Sequence, residues 1–91
     1  MKFPVYAVRD NKSGQFNSLT VAANDAVITR SFAESVVSGR DPVMAFSPKD
    51  FDLYRIGEFE IDKGVLVPLA PVVLIANAAE VLVNYELPKK E

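Results

Sequence analysis

Two segments of the chain place aromatic rings beside cations in a way that suits contact with nucleic acid. Aromatic side chains on a sheet stack unpaired bases, and Arg or Lys side chains neutralise the phosphates between them. The same aromatic spacing also fits a hydrophobic core, and spacing alone does not separate these two interpretations. The aromatic residues on predicted strands near Arg9, Lys12 and Arg55 are Tyr6, Phe16, Tyr54 and Phe59. The candidate residues for binding single-stranded DNA are Tyr6, Arg9, Lys12, Arg30, Tyr54, Arg55 and Phe59.

Other chemistries have little support in the composition. The chain contains no His and no Cys, so the usual nucleophile-base pairs, thiolate zinc sites and disulfides cannot be assembled. The carboxylates from Asp50 to Asp62 do not follow the spacing of a calcium loop, and strand alternation scatters them over two faces. We therefore expect a solvated strand edge, no metal site, no cofactor and no enzymatic activity.

Net charge and hydropathy bear on partners and location. The formal net charge is −2, so binding to a polyanion requires a local basic patch. The amino-terminal segment has a short apolar run followed at once by Arg9 and Asp10, unlike a signal peptide. The apolar stretch of residues 65–83 is interrupted by Pro68, Pro71 and Asn77, which makes it a poor membrane span. These features predict a cytoplasmic protein without a membrane partner.

Local patterns in the first half predict a hairpin and a helix. The β-branched and aromatic segment FPVYAVRD is typical of a strand, and Asn11 and Gly14 suit a tight turn into a second strand, QFNSLTVA. The main helix follows, with Asn24 as its amino-terminal cap, Asp25 in its first turn and Gly39 after its end. We expect a loop in GRDPVMAF, and then a short helical turn at SPKD.

The segment DFDLYRIGEFEIDKG predicts a strand with an irregularity. Its apolar alternation slips by one residue, and Gly57 suits a β-bulge that returns the later side chains to the first face. We therefore expect Tyr54, Ile56, Phe59 and Ile61 to share one face. A turn after this strand leads into a second strand of a second hairpin, which we expect to end at Pro68.

For residues 72–83 the sequence does not decide between a helix and a strand. Pro71 and the Ala-rich middle favour a helix, whereas the Val, Leu and Ile side chains favour a strand, and periodicity does not decide. We expect a helix here. The whole prediction is one small α+β domain over residues 1–91. Two β-hairpins form an antiparallel sheet against one main helix, with a second helix near the carboxyl end and a flexible tail at residues 84–91.

The first strand also bears on assembly. Phe3, Val5 and Ala7 alternate with Tyr6 and Val8, so both of its faces are apolar. That is more apolar surface than one small core hides. We expect a homodimer or a higher oligomer.

Two motifs resemble those of a viral family. V-Y-x-V-R-D at residues 5–10 and P-x-D-F-x-L-Y-x-I-G-x-F at residues 48–59 are similar to the small nonstructural protein of gokushoviruses, in the Microviridae branch of single-stranded DNA phages. The resemblance covers roughly residues 4 to 75. It implies a non-virion, DNA-binding protein of the bacterial host cytoplasm that acts in the switch to single-stranded genome synthesis or in packaging.

A second interpretation uses the same fold without DNA. A small domain with exposed apolar surface can bind a phage replication or capsid protein through a sheet edge or an apolar segment. Such an adaptor needs no basic patch.

Overall fold

A four-stranded antiparallel sheet forms the centre of the computed structural model, which describes residues 1–84. The strands are β1 (Lys2–Asp10), β2 (Gln15–Val21), β3 (Phe51–Glu60) and β4 (Val65–Asn77), in the order β2-β1-β3-β4. Each hairpin pairs strands that follow one another in sequence, and β1 and β3 join the two hairpins. The predicted α+β class is confirmed. Of the tail expected at residues 84–91, all but Asn84 lies outside the described residues.

The main helix lies where its capping residues predict. The helices are α1 (Asp25–Val37), α2 (Pro42–Phe46) and α3 (Ala78–Asn84), with a 3₁₀ turn at Pro48–Asp50. The Asn24 side chain accepts a hydrogen bond from the Val27 backbone N–H at 2.9 Å. After α1 ends, Gly39 adopts a φ of 73°, which glycine tolerates best. No helix within residues 1–84 has the length and apolar character needed to cross a membrane.

Helix α2 corrects the expected loop in GRDPVMAF. Asp41 caps it by accepting a hydrogen bond from the Met44 backbone N–H at 3.1 Å, and Pro42 occupies its first turn. Met44 is buried and anchors this short helix to the core. The short helical turn predicted at SPKD is confirmed, and the Ser47 hydroxyl donates to the Asp50 carboxylate at 2.6 Å.

Strand β4 is longer than expected and corrects the end predicted at Pro68. It continues to Asn77, and α3 begins directly afterwards. Pro68 pairs with Gly57 and Val73 pairs with Arg55, so the residues between Pro68 and Val73 leave the ladder. Because β4 is an edge strand, a proline there need not remove a ladder hydrogen bond. The helix expected over residues 72–83 is therefore wrong up to Asn77, which is strand, and confirmed from Ala78 onwards.

The irregularity predicted near Gly57 is confirmed. Val5 pairs with Gly57 and Tyr6 pairs with Arg55, so Ile56 is an extra residue in β3. One inserted residue shifts the alternation of every later side chain to the other face.

This shift places Tyr54 and Phe59 on one face, as predicted. Tyr54 pairs with Ala7 and Phe59 pairs with Phe3, and Ala7 and Phe3 lie on the same face of β1 because side chains alternate along a strand. Ile56 is the extra residue of the bulge, and Ile61 lies beyond β3 in the turn that follows. Of the four side chains expected on one face, the register therefore places Tyr54 and Phe59 there.

The core lies on the opposite face of the sheet. There Tyr6 and Leu53 belong to one buried cluster with Phe32 of α1, Met44 of α2 and Val81 of α3. All three helices of residues 1–84 therefore pack against one side of the sheet. The side that carries Phe3, Ala7, Tyr54 and Phe59 has no helix over it in the described part of the chain, and we call it the open face. The buried core consists of Tyr6, Ile28, Phe32, Ala33, Val36, Met44, Phe51, Leu53, Ala78 and Val81.

Candidate nucleic-acid interface

Aromatic rings cross the open face in two pairs. Phe16 on β2 pairs with Arg9, and its ring meets Tyr54 edge to face, with centroids 5.3 Å apart and planes at 65°. Phe3 and Phe59 are cross-strand partners farther along β1 and β3. Phe16 is 44% exposed, and the other three rings are partly buried. Each ring therefore keeps surface that a planar ligand can reach.

Arg9 brings a positive charge to the same face. Its guanidinium lies 6.0 Å from the centroid of the Phe16 ring, within the range of a cation–π contact. One guanidinium nitrogen donates a hydrogen bond to the Asn11 side-chain oxygen. Among the ion pairs formed by residues 1–84, none involves Arg9. Its charge is consequently available to an anion from outside.

The carboxylate nearest to Arg9 in the ladder is held by other donors. Asp52 pairs with Arg9 across β1 and β3. Its two carboxylate oxygens accept hydrogen bonds from the Asn11 and Asn77 side-chain amides, both at 2.8 Å. Lys12 lies in the turn directly after β1 and is exposed. Two carboxylates lie beside Arg9 and Lys12: Asp52, and Asp10, which accepts a hydrogen bond from the Lys12 backbone N–H at 2.9 Å. We call this end of the open face, with its two cations, the basic end.

Tyr6 and Arg55, by contrast, lie on the helix side of the sheet. Tyr6 is 1% exposed, and its hydroxyl donates a hydrogen bond to the Asp25 carboxylate. Arg55 donates to both oxygens of Asp25 at 2.6 and 2.7 Å. These positions correct the expectation that Tyr6 and Arg55 belong to one surface with Arg9.

The Tyr6–Asp25–Arg55 cluster couples the sheet to the first turn of α1. The Arg55 guanidinium, followed by the Tyr6 hydroxyl, lowers the pKa of the Asp25 carboxyl, and Asp25 in turn raises the pKa of Arg55. Burial, followed by the hydrogen bond to Asp25, raises the pKa of Tyr6 to about 12. The Nε atom of Arg55 is buried without a hydrogen-bond partner among residues 1–84. Arg55 is therefore a structural ion-pair residue in this arrangement.

Arg30 is also separated from the open face. It lies on α1, on the other side of the sheet, and its Nε is 3.4 Å from a carboxylate oxygen of Glu34 one helical turn later. Exposed pairs of this kind largely cancel each other's charge at a distance.

The structure therefore brings together four of the predicted binding residues and separates three. Arg9, Lys12, Tyr54 and Phe59 contribute to the open face or its basic end. Sequence reasoning left out Phe3, and it noted Phe16 among the strand aromatics without including it in the binding set. The signal was present, because Phe3 alternates in step with Arg9 along β1, and a hairpin closed at NKSG brings Phe16 opposite Arg9. Within residues 1–84, no three Asp or Glu side chains converge as a metal site would require.

Comparisons with known proteins bear on the origin of this chain. No curated protein and no solved structure shows a match to it. One family model, described as Phage ORF5 protein, matches residues 3–81, which include every residue of the open face named above and helix α1. The chain belongs to the family of the Phage ORF5 protein.

Proposed function

We propose that this phage protein binds single-stranded DNA on its open face. The observation that carries the proposal is the cluster of Arg9, Phe16 and Tyr54, in which an unpaired cation lies against an exposed ring that contacts a second ring. In this proposal the bases stack on Phe16, Tyr54, Phe59 and Phe3, and the phosphates pass Arg9 and Lys12.

The physical chemistry of stacking supports this choice of nucleic acid. Every base has a π-face, so a row of rings binds unpaired bases without needing a defined sequence, at about 1–3 kcal/mol per base. A duplex hides these faces between its base pairs and gives the rings nothing to stack on. The open face therefore favours single strands over duplexes.

The charge distribution predicts a modest salt dependence. With a net charge of −2, the protein as a whole does not attract DNA. Arg9 and Lys12 are the cations at the end of the aromatic face, whereas Arg55 and Arg30 are paired with carboxylates. If these two residues neutralise two phosphates, the slope of log affinity against log salt should be about −1.4, from about −0.7 per phosphate of a single strand.

A role in the phage cycle follows from this activity. A protein that covers unpaired bases keeps a newly made strand from pairing with a template. We propose that the protein acts in this way during the switch to single-stranded genome synthesis or during packaging, as its resemblance to the gokushovirus protein implies.

The test is a fluorescence-anisotropy titration with a labelled, mixed-sequence, single-stranded oligonucleotide at several salt concentrations. Phe16→Leu and Tyr54→Leu keep the apolar volume but remove the ring, so each should weaken binding roughly tenfold, equivalent to about 1.4 kcal/mol. Phe46→Leu is the matched control, because the Phe46 ring on α2 is 91% exposed and far in the fold from the open face. We expect Phe46→Leu to bind as the parent does.

Two results would overturn the proposal. The first is that the parent protein shows no binding at low salt at tens of micromolar. The second is that Phe46→Leu loses as much affinity as Phe16→Leu. Loss of affinity would then not depend on whether the removed ring lies on the open face.

An adaptor function is the second candidate, and it rests on α2. Val43 and Phe46 are 64% and 91% exposed on this short helix, and exposed apolar side chains of this size favour contact with another protein. A phage replication or capsid protein would be the partner. Absence of DNA binding by the parent protein would favour this function.

A further inference from the structure

Strand β4 presents a long apolar edge. In the sheet order β2-β1-β3-β4 its only strand neighbour is β3, so its other edge is unpaired in the described chain. Residues 65–76, VLVPLAPVVLIA, contain no charged side chain. Six of them are large, apolar and 39–56% exposed: Val65, Leu66, Val67, Val72, Val73 and Leu74. Monomeric proteins protect long edges of this kind with charges or cover them.

We infer that β4 pairs antiparallel with β4 of a second copy of this chain, forming a twofold-symmetric dimer. An antiparallel pair of identical strands has a twofold axis between them, so the same patch serves both copies and the assembly closes. The absence of charge in residues 65–76 removes the like-charge repulsion that self-pairing otherwise brings. This inference is independent of DNA binding.

The composition of β4 favours a second copy over a different protein chain. A strand with an acidic or basic partner usually carries the opposite charge, and β4 carries none up to Asn77. The apolar side chains on both faces of β4 match only a strand that is also apolar on both faces. Another β4 meets that requirement.

The other free edge of the sheet is less suited to pairing. Strand β2 carries polar residues, including Asn17 and Ser18, and its register with β1 shifts between Tyr6 and Val8. Ser18 adopts a φ of 60° within this strand. An irregular, polar edge resists pairing, and joining β4 of one copy to β2 of the next would give an open chain of molecules instead of a closed dimer.

Within β4 the pairing segment lies after the prolines. Pro68 and Pro71 have no N–H to donate to a second ladder, whereas Val72, Val73 and Leu74 follow without interruption. Leu74 also lines a shallow groove with Val27 of α1, which is 51% exposed. Val27 is thus an exposed apolar neighbour of this segment on the helix side of the sheet.

The expected affinity is moderate. A short strand pair with a few flanking side chains buries less than the ~800 Å² per partner of a standard interface. We therefore expect dissociation in the micromolar range, with the fraction of dimer rising with concentration.

Sedimentation velocity without DNA is the first test. The parent should sediment as a 10.0 kDa chain at low concentration and approach twice that mass near a few hundred micromolar. Val73→Lys should remain monomeric, because two added charges would meet across the twofold axis. Val37→Lys is the matched control, since Val37 on α1 is 55% exposed and lies outside β4. Circular dichroism of both variants checks that they are folded.

Disulfide trapping is the second test and does not depend on a destabilising charge. The chain has no cysteine, so single Cys substitutions at Val72, Val73 and Leu74 report only on contacts between copies. A disulfide requires Cα atoms about 4.4–6.8 Å apart, so the position nearest the axis should cross-link most under mild oxidation, and Val37→Cys should not.

The two tests together decide the inference. If the parent keeps the mass of one chain over the whole concentration range, the inference is overturned. The free edge of β4 would then be expected to pair with a strand of another protein. A dimer that persists in Val73→Lys, with no position from 72 to 74 cross-linking above Val37→Cys, overturns it in favour of another surface. Both tests can succeed while the DNA titration fails, because neither uses DNA.

Discussion

The rings of Phe16 and Tyr54 meet edge to face at 5.3 Å although they belong to strands that are not neighbours in the sheet. Strand β1 lies between them, and Tyr54 pairs there with Ala7 while Phe16 pairs with Arg9. A small side chain at position 7 leaves room for the two rings to meet over β1. Ala7 is only 3% exposed although no helix covers this face in residues 1–84. The contact therefore joins both hairpins on the open face.

Replacing Arg9 tests the basic end of that face. Arg9→Ala should flatten the slope of log affinity against log salt by about 0.7, the contribution of one phosphate on a single strand. Its free energy of unfolding should change by less than about 0.5 kcal/mol, as for surface substitutions in general. Anisotropy titrations over a salt series and urea unfolding measure the two quantities.

Replacing Arg55 should lower stability and leave the salt slope of DNA binding unchanged, which is the opposite of the result expected for Arg9. Arg55→Ala is therefore the matched counterpart of Arg9→Ala. Arg55→Ala removes the ion pair with Asp25, in which the two side chains are 35% and 42% exposed. Partial exposure limits the loss to about 1 kcal/mol of unfolding free energy, and the salt slope of DNA binding should stay unchanged. If Arg55→Ala flattened the slope as Arg9→Ala does, the division of these arginines between two faces would be wrong.

Acid should weaken the link between the sheet and α1. The folded state holds the pKa of Asp25 below its ordinary value of 3.8. Above that value the carboxylate is ionised in both states and the ion pair contributes fully. As the pH falls further, the unfolded state takes up the proton first, and the contribution is lost as the pH passes through the folded pKa. The stability difference between the parent and Asp25→Asn should therefore shrink as the pH is lowered through 3.8 and below.

That comparison isolates Asp25 from other acids. Glu60 also has a lowered pKa, because the amino-terminal ammonium group donates a hydrogen bond to it. This contact is present in both proteins and cancels in the difference. A constant difference over the whole range, measured by urea unfolding, would contradict the assigned role of Asp25.

The Tyr6 hydroxyl should show its contribution at the alkaline end. Tyr6→Phe removes the hydrogen bond to Asp25 and should cost about 1–2 kcal/mol near neutral pH, because the acceptor is charged. Burial raises the pKa of Tyr6 from 10.0 to about 12. The advantage of the parent is complete below pH 10 and should decline as the pH rises to about 12, where the folded state also ionises. An advantage that stays constant up to about pH 12 would contradict the buried hydrogen bond.

Local features of the fold could be predicted from sequence because their causes are local. Asn24 and Gly39 bound α1 through hydrogen bonds and dihedral angles within one turn. The slip in alternation at Gly57 predicted the common face of Tyr54 and Phe59, since counting along a strand fixes the face. Helix α2 carried a comparable signal in Asp41 and Pro42, but five residues gave no periodicity to confirm it.

Features that depend on distant partners could not be predicted in this way. Alternation shows that Tyr6 and Val8 share a face of β1, but it does not show which face the helices cover. The pairing of Tyr6 and Arg55 with Asp25 follows only from the docking of α1. Similarly, β4 passes through Pro68 because it lies at the sheet edge, and edge position is a property of the assembled sheet.

Gly57 has a local feature, the bulge that alternation predicts, and a feature that depends on a distant partner, its close approach to β4. Its replacement gives the last prediction. Its φ is not in the left-handed region, so an Ala there would meet no intrinsic backbone penalty. A Cβ at this position would, however, lie 2.6 Å from the backbone oxygen of Val67 and 3.5 Å from the Cα of Pro68. Backbone atoms of a paired strand cannot move aside as a flexible side chain can, so β3 and β4 must separate.

We therefore expect Gly57→Ala to lower the free energy of unfolding by about 1–3 kcal/mol, the usual cost of overpacking a buried site. Glu58→Ala, at the exposed neighbouring position, should change it by less than about 0.5 kcal/mol. Urea unfolding followed by circular dichroism measures both. If Gly57→Ala were as stable as Glu58→Ala, the close approach of β4 to the bulge would be wrong, and with it the register that places Leu66 beside Phe59 on the open face.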